Sequence, residues 1–276
     1  NQVSYCSTNP GVMHACGHDG HTTCLLGVVK ILHQLRAEWG GTIKFIFQPA
    51  EEKTPGGASI MIEEGVLNNP SPEFILAQHV HPPLEAGMVG FKAGNYMASS
   101  DEIYLKVIGK GGHGAMPQDC VDPILIASHI LINLQQIVSR LADPIMPTVL
   151  TFGKINSEGG ATNVIPNAVN IEGTFRTYDE VWRKQALIAI ENMAHTTAAV
   201  FGGSCEVHIA HGYPFLYNDE KMTPITKDWA IEYLGADKVV DLPTRMTSED
   251  FAYFAQEMPG VFYRLGTGNK ARGITS

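Results

Sequence analysis

From Glu102 to Gly212 the chain switches between two hydrophobic periods in a fixed succession, and that succession constrains its fold more than any other feature. EIYLKVIGKG reads as a strand, DPILIASHILINLQQIVSRL as a long helix, and PTVLTFGKIN and NAVNIEGTFRT as two strands. EVWRKQALIAIENMAHTTAAVFG then reads as a second helix and CEVHIAHG as a fourth strand. The order β-α-β-β-α-β is that of the ferredoxin-like unit, a sheet with helices on one face.

The flanking segments have a different rhythm. Leu25, Val28, Val29, Leu32 and Leu35 recur at helical spacing, which predicts a helix from His21 to Glu38 ended by Gly40 and Gly41. A β-rich run, Ile43 to Phe47, follows and is stopped by Pro49. GGASIMIEEGVL is a short helix, and EFILAQHVHP a strand with His79 and His81 at or just beyond its carboxyl end. After Gly212 come helix EKMTPITKDWAIEYLG, strand DKVVDLP, helix SEDFAYFAQEMP and strand GVFYRLGTG. Such alternation implies an α/β domain with helices packed on a largely parallel sheet, in which ligands gather outside the carboxyl ends of the strands. The expected organisation is therefore one α/β domain over residues 1–98 and 212–276, interrupted by an inserted unit over residues 99–211.

Composition removes several classes of function. The formal charge of −9 is spread along the 276 residues with no basic stripe, which argues against a nucleic-acid partner. No apolar run approaches the length of a membrane span. The cysteines, Cys6, Cys16, Cys24, Cys120 and Cys205, are odd in number and irregularly spaced, as expected of reduced thiols in a cytoplasmic protein. The chain starts at Asn1, and LGTGNKARGITS follows the last strand without a closing helix, so further segments are expected at both ends.

VMHACGHDGHT, at the start of the first helix, concentrates the chemistry. Cys16 and His18 can converge on one ion whether their segment is extended or looped, and Glu52 and His79 are the other ligand types that zinc or a neighbouring transition metal takes. The plainer alternative is a histidine-rich turn around a small buried cysteine. Glu51 and Glu52 would point opposite ways on a strand, but a bend after Pro49 could turn one to a metal and the other to a substrate. A carboxylate beside a metal-activated water is what amide hydrolysis requires.

Taken together, MHACGHDGHT, FQPAEE, HVHP, GKGGHGAMP, ATNVIPNAVNIEGTFRT and SEDFAYF resemble the motifs of the M20 metallopeptidases, in family order over nearly the whole chain. The likeness is to their amidohydrolase branch of hippurate, N-acyl-amino-acid and auxin-conjugate hydrolases. The resemblance implies a site for two divalent transition-metal ions (Zn, Mn, Ni or Co) with Cys16, His18, Glu52 and His79 as ligands and Glu51 as general base. It also implies a final histidine ligand close to the C-terminus, which this sequence does not contain. His113, in the inserted unit, would reach the partner's site in a homodimer and polarise the scissile carbonyl. Asn163 and Arg176 would bind the substrate carboxylate.

The resemblance thus implies hydrolysis of N-acyl amino acids to a carboxylic acid and a free amino acid. A relative that binds such ligands without cleaving them is the alternative, and a cysteine hydrolase with Cys16 as nucleophile is a third reading. His14, His21 and His81 are expected to support the ligands, and Asp19 to orient a histidine or cap the helix. Glu249 and Asp250 could face the site or cap the helix of SEDF. His129, His195 and His208 fall beside the apolar stripes and read as surface or satisfied residues.

Overall fold

The computed structural model describes residue 4 and residues 6–275. The first elements are α1 (His18–Gln34), α2 (Gly57–Glu63), β1 (Ile75–Glu85), β2 (Val89–Phe91) and β3 (Gly94–Met97). Next come β4 (Asp101–Ile108), β5 (Gly112–His113), α3 (Pro123–Leu134), β6 (Thr148–Ser157), β7 (Val164–Ile165), β8 (Ala168–Thr177), α4 (Glu180–Val200) and β9 (Ser204–His211). The chain continues through β10 (Leu216–Asn218), α5 (Met222–Leu234), β11 (Val239–Asp241), α6 (Ala252–Glu257) and β12 (Gly260–Gly268). The fold is mixed α/β, with two four-stranded sheets.

One sheet runs in the order β1-β12-β2-β11. Its β1/β12 and β2/β11 pairs are parallel and its β12/β2 pair is antiparallel. Alternation along β12 sends Val261 into a core with Val89, Phe91 and Val239, while Phe262 faces a second core with Tyr96, Met97, Phe251 and Phe254. Burying side chains of this size stabilises by roughly 1.5–3 kcal/mol each, so both faces of β12 are held.

The other sheet, β6-β8-β4-β9, is antiparallel throughout. Ile103, Leu105 and Val107 alternate inward from β4 against Ile126, Ile130 and Leu134 of α3 and Ile190 and Ala194 of α4. Asp122 Oδ1 accepts from the Ile124 amide at 2.9 Å and Asp179 Oδ1 from the Trp182 amide at 2.6 Å, which fixes where the two helices begin. Against the expectation that no apolar run approaches a membrane span, the continuous segment Pro123–Leu141 is long and apolar enough to cross a membrane by length and composition. Its face through Ile126, Ile130, Leu134 and Ile137 is part of the core against this sheet.

Two stretches cross between the sheets and are stitched together. Ser100 N donates to Tyr213 O at 3.0 Å, and Tyr213 N donates to Ser100 Oγ at 3.2 Å. Beside them the buried Arg183 guanidinium holds both oxygens of Asp101 at 2.7 Å and the Gly212 carbonyl at 3.0 Å.

Three expectations shift. Helix α1 starts at His18 rather than His21 and ends at Gln34 rather than Glu38. Gly17, at φ 79°, turns the chain one step earlier, and a Cβ there would lie 2.7 Å from Val80 Cγ2. Ile43 to Phe47 forms no strand, because no described strand bonds to it; Lys44 Nζ anchors it instead on the carbonyls of Val66, Asn68 and Pro70 at 2.7 to 3.0 Å. Finally, β1 continues to Glu85 after a register shift beyond His81, which places His79 and His81 within the strand.

Candidate metal centre

Three separated segments bring their side chains to one place. Gly17 starts α1 and delivers Cys16 and His18; β1 delivers His79; the turn after Pro49 delivers Glu51 and Glu52. At that turn Ala50 adopts φ 54°, a left-handed conformation that costs a non-glycine residue on the order of 1 kcal/mol. It breaks the strand alternation, so the two glutamates reach the same histidine. His18 Nε2 lies 3.7 Å from Glu51 Oε2 and 3.7 Å from Glu52 Oε1.

Cys16 Sγ lies 3.3 Å from His79 Nε2. His79 Nδ1 donates to the Val80 carbonyl at 2.7 Å, which leaves Nε2 as the bare lone pair. His21 Nε2 accepts from the Val80 amide at 3.0 Å, so that nitrogen braces β1. The ligand-type atoms of Cys16, His18 and His79 lie within 4.8 Å of one another, as do those of His18, Glu51 and Glu52 and those of Glu51, Glu249 and Asp250.

Burial dominates the electrostatics. It pushes the Cys16 thiol up to about 11, assisted by a hydrogen bond with Glu52 and the charges of Glu52 and Glu51. It pushes His79 down to about 3 and His21 down to about 4. Glu51 is raised to about 7 by burial, then by the charges of Asp250 and Glu52. Glu249 stands well above the usual carboxylate range because it is buried beside Glu51 and Asp250. Asp250 is also raised by burial, against the pull of Gln48, whose Nε2 donates to its two oxygens at 2.6 and 2.7 Å. Without a cation, burial favours protons on Cys16, Glu51, Glu249 and Asp250 and none added to His79 and His21; a divalent ion reverses that preference. Sulfur, imidazole and carboxylate donors with unspent lone pairs fit such an ion.

The remaining candidate residues sit apart from this cluster. His113, on β5, and Asn163, just before β7, are exposed neighbours, and Gly114 N donates to Asn163 O at 2.8 Å. His113 Nδ1 accepts from the Ala115 amide at 3.1 Å, which leaves the proton on Nε2. Arg176, on β8, donates from Nη1 to the Met246 carbonyl at 3.0 Å. His14 is exposed, with its ring 6.4 Å from that of His18. Asp19 is exposed in the first turn of α1. His195 and His208 are exposed, and His129 stacks on Phe201 at 4.6 Å.

Four neighbours were not singled out as site residues from the sequence. Gln48 holds Asp250, and the Tyr213 hydroxyl donates to the main-chain carbonyl of Glu51. Arg264 is buried on the face of β12 shared with His79, donating to Tyr96 Oη at 3.0 Å, with its guanidinium carbon 5.1 Å from the Phe262 ring centre. Arg245 lies against His81. FQPAEE contains Gln48, but nothing in the other three local patterns marks them.

Known proteins share this arrangement of sequence and fold. Residues 1–275 match the description Peptidase family M20/M25/M40. The N-acyl-L-amino acid amidohydrolase of Geobacillus stearothermophilus is 44% identical over 221 residues, which is 80% of this chain and 59% of that enzyme. The IAA-amino acid hydrolase ILR1-like 4 of Arabidopsis thaliana is 42% identical over 267 residues, 95% of this chain and 60% of that enzyme. The crystal structure of the Bacillus subtilis YXEP protein, described as a dinuclear metal binding peptidase from the M20 family, matches with a TM-score of 0.75 at 32% identity. That match covers 96% of this chain and 67% of that one. The chain thus spans about 60% of the length of the two enzymes it resembles in sequence. On the match over residues 1–275, the chain belongs to peptidase family M20/M25/M40.

Proposed function

We propose that this chain carries the metal-binding and catalytic residues of an amidohydrolase that cleaves N-acyl amino acids to a carboxylic acid and a free amino acid. The observation that carries the reading is the convergence of Cys16, His18, His79, Glu51 and Glu52 from three segments onto one cluster. Relatives named as amidohydrolases of N-acyl and IAA-amino acids support the substrate class.

Cys16, His18, Glu52 and His79 would hold two divalent ions, in keeping with the dinuclear metal binding described for the YXEP protein. When bound, the ions supply Lewis acidity toward the amide carbonyl and acidify water beside it. Glu51 takes a proton from the attacking water and returns it to the leaving nitrogen. Glu51 is half-buried at the edge of the cluster, its Oε2 3.7 Å from His18 Nε2, where it can both accept and release a proton. A buried thiol pushed up to about 11 is a poor free nucleophile, which counts against attack by Cys16.

Residues 1–98 and 212–276 form the metal-binding domain, and residues 99–211 form a ferredoxin-like unit through which two copies dimerise. The β6-β8-β4-β9 order with both helices on one face supports that unit. His113, exposed with a free Nε2–H, serves the partner's site, where it stabilises the developing oxyanion. Asn163 and Arg176 bind the substrate's carboxylate. Five free thiols support a cytoplasmic setting, with hippurate-like or N-acetyl amino acids as substrates.

The test is a panel of benzoyl-glycine, N-acetyl amino acids and acetyl-diaminopimelate, assayed with the protein loaded in turn with Zn, Mn, Co or Ni. Metal-dependent release of a free amino acid is expected. Binding of these compounds with no release under any metal would replace hydrolysis by the binding-only reading.

A further inference from the structure

Arg245 is a cation with no counter-ion. No carboxylate lies within 4.0 Å of its guanidinium among the described residues. Burial and the neighbouring charge of Arg264 both work against its positive charge. Unpaired cations this close to the interior are costly, and a bound anion would relieve the cost.

Its contacts give it an aim. Arg245 Nη1 lies 3.1 Å from His81 Nδ1, and because arginine can only donate, Nδ1 accepts and the histidine proton sits on Nε2. One imidazole N–H and the remaining guanidinium N–H groups are then two kinds of donor side by side, the combination that suits a carboxylate. The mount is rigid. Arg245 N donates to Tyr96 O at 2.9 Å, and Arg245 O accepts from the Tyr178 hydroxyl at 2.7 Å and from the Ala98 amide at 3.1 Å. Arg176 steadies the next residue through the Met246 carbonyl. A preorganised receptor of this kind loses little freedom on binding.

The position relative to the cluster supplies the scale. His79 and His81 share one face of β1, two residues or roughly 6.6 Å apart. A ligand whose amide carbonyl rests beside His79 can place a carboxylate further along its chain toward His81.

We propose that Arg245 and His81 form a carboxylate subsite beside the metal cluster, separate from the one assigned to Asn163 and Arg176, and that it selects substrates bearing a carboxylate near the scissile amide. The substrate part rests on the amidohydrolase reading; the binding part does not. With the α-carboxylate of the amino acid given to Asn163 and Arg176, the group left for this subsite is a carboxylate on the acyl chain.

Three probes separate the two carboxylates: N-acetyl-methionine, N-acetyl-methioninamide, and N-succinyl-methioninamide. Calorimetric affinities and kcat/KM are measured on the metal-loaded protein and on Arg245→Gln, with metal content as a control. Loss of one charge-assisted contact corresponds to about tenfold to hundredfold weaker recognition. A loss confined to N-succinyl-methioninamide is expected; a loss confined to N-acetyl-methionine would put the α-carboxylate on Arg245 and overturn the separate subsite. Equal losses for all three probes, or none, overturn the proposal. Should Arg245→Gln not fold, Arg245→Lys decides: it keeps the charge but loses the fork, and a partial loss for N-succinyl-methioninamide alone is expected. If the parent cleaves nothing, the amidohydrolase reading falls, and the affinities still judge the subsite.

Discussion

The side-chain amide of Gln48 donates to both carboxylate oxygens of Asp250, at 2.6 and 2.7 Å, joining residues 202 positions apart at the floor of the acidic group. Asp250 is fully buried, and its only other described donor from the main chain is the Ala58 amide at 3.1 Å. Gln48→Leu leaves that carboxylate short of partners. It should lower stability by about 2–3 kcal/mol, read as a shift in urea midpoint at constant slope. An unchanged midpoint would mean that Gln48 is not what holds Asp250 in place.

Tyr213 connects the crossing between the two sheets to the proposed base. Its amide takes Ser100 Oγ while its hydroxyl bonds the Glu51 carbonyl. Tyr213→Phe keeps the ring and removes that bond, so kcat should fall about fivefold to tenfold, in line with one neutral hydrogen bond, with metal content and KM unchanged. A change in KM alone would instead place Tyr213 in substrate binding.

The Arg183 to Asp101 pair is buried on both sides. Arg183→Met strands the carboxylate and should destabilise by about 3–5 kcal/mol, while adding Asp101→Asn to it should recover part of the loss. Denaturant unfolding of the parent, the single and the double variant tests this; equal losses in the two variants would show no coupling.

These side chains also show what could be read from sequence. Helices α3 and α4 and strands β4, β6, β8 and β9 were legible because each buries one face and so carries its own period. Ile43 to Phe47 has the same apolar character but no strand beside it, and pairing is not a property of one segment. Cys16, His18, Glu51, Glu52 and His79 could be gathered because their chemistry is unusual in those motifs. The SEDF motif leaves Glu249 open between cap and site, since an acidic residue is ordinarily solvated and only tertiary packing buries this one. Arg264 and Arg245 were invisible for the same reason.

In the metal-free protein, Glu51 is raised from 4.5 to about 7, and Glu249 and Asp250 are raised as well. The folded chain therefore holds these protons more tightly than the unfolded chain. The stability they contribute is complete below the ordinary carboxylate range and is lost as pH rises through about 7. Below about pH 6.5 the lowered His79 and His21 act in the opposite sense, so the urea midpoint should fall from about pH 6.5 to about pH 8, less steeply in Glu51→Gln, and Mn(II) should raise it more at the higher pH. A midpoint that rises over this range would contradict the burial of charge.

In the proposed mechanism Glu51 moves the proton in a metal-dependent hydrolysis. The most direct measurement compares the parent with Glu51→Gln, each loaded with the same metal, by elemental analysis and by hydrolysis of an N-acetyl amino acid. Equal metal content and a loss of turnover of at least about a hundredfold, the scale of general acid–base catalysis, are expected. Hydrolysis by Glu51→Gln at the parent's rate, with metal in place, would contradict that mechanism.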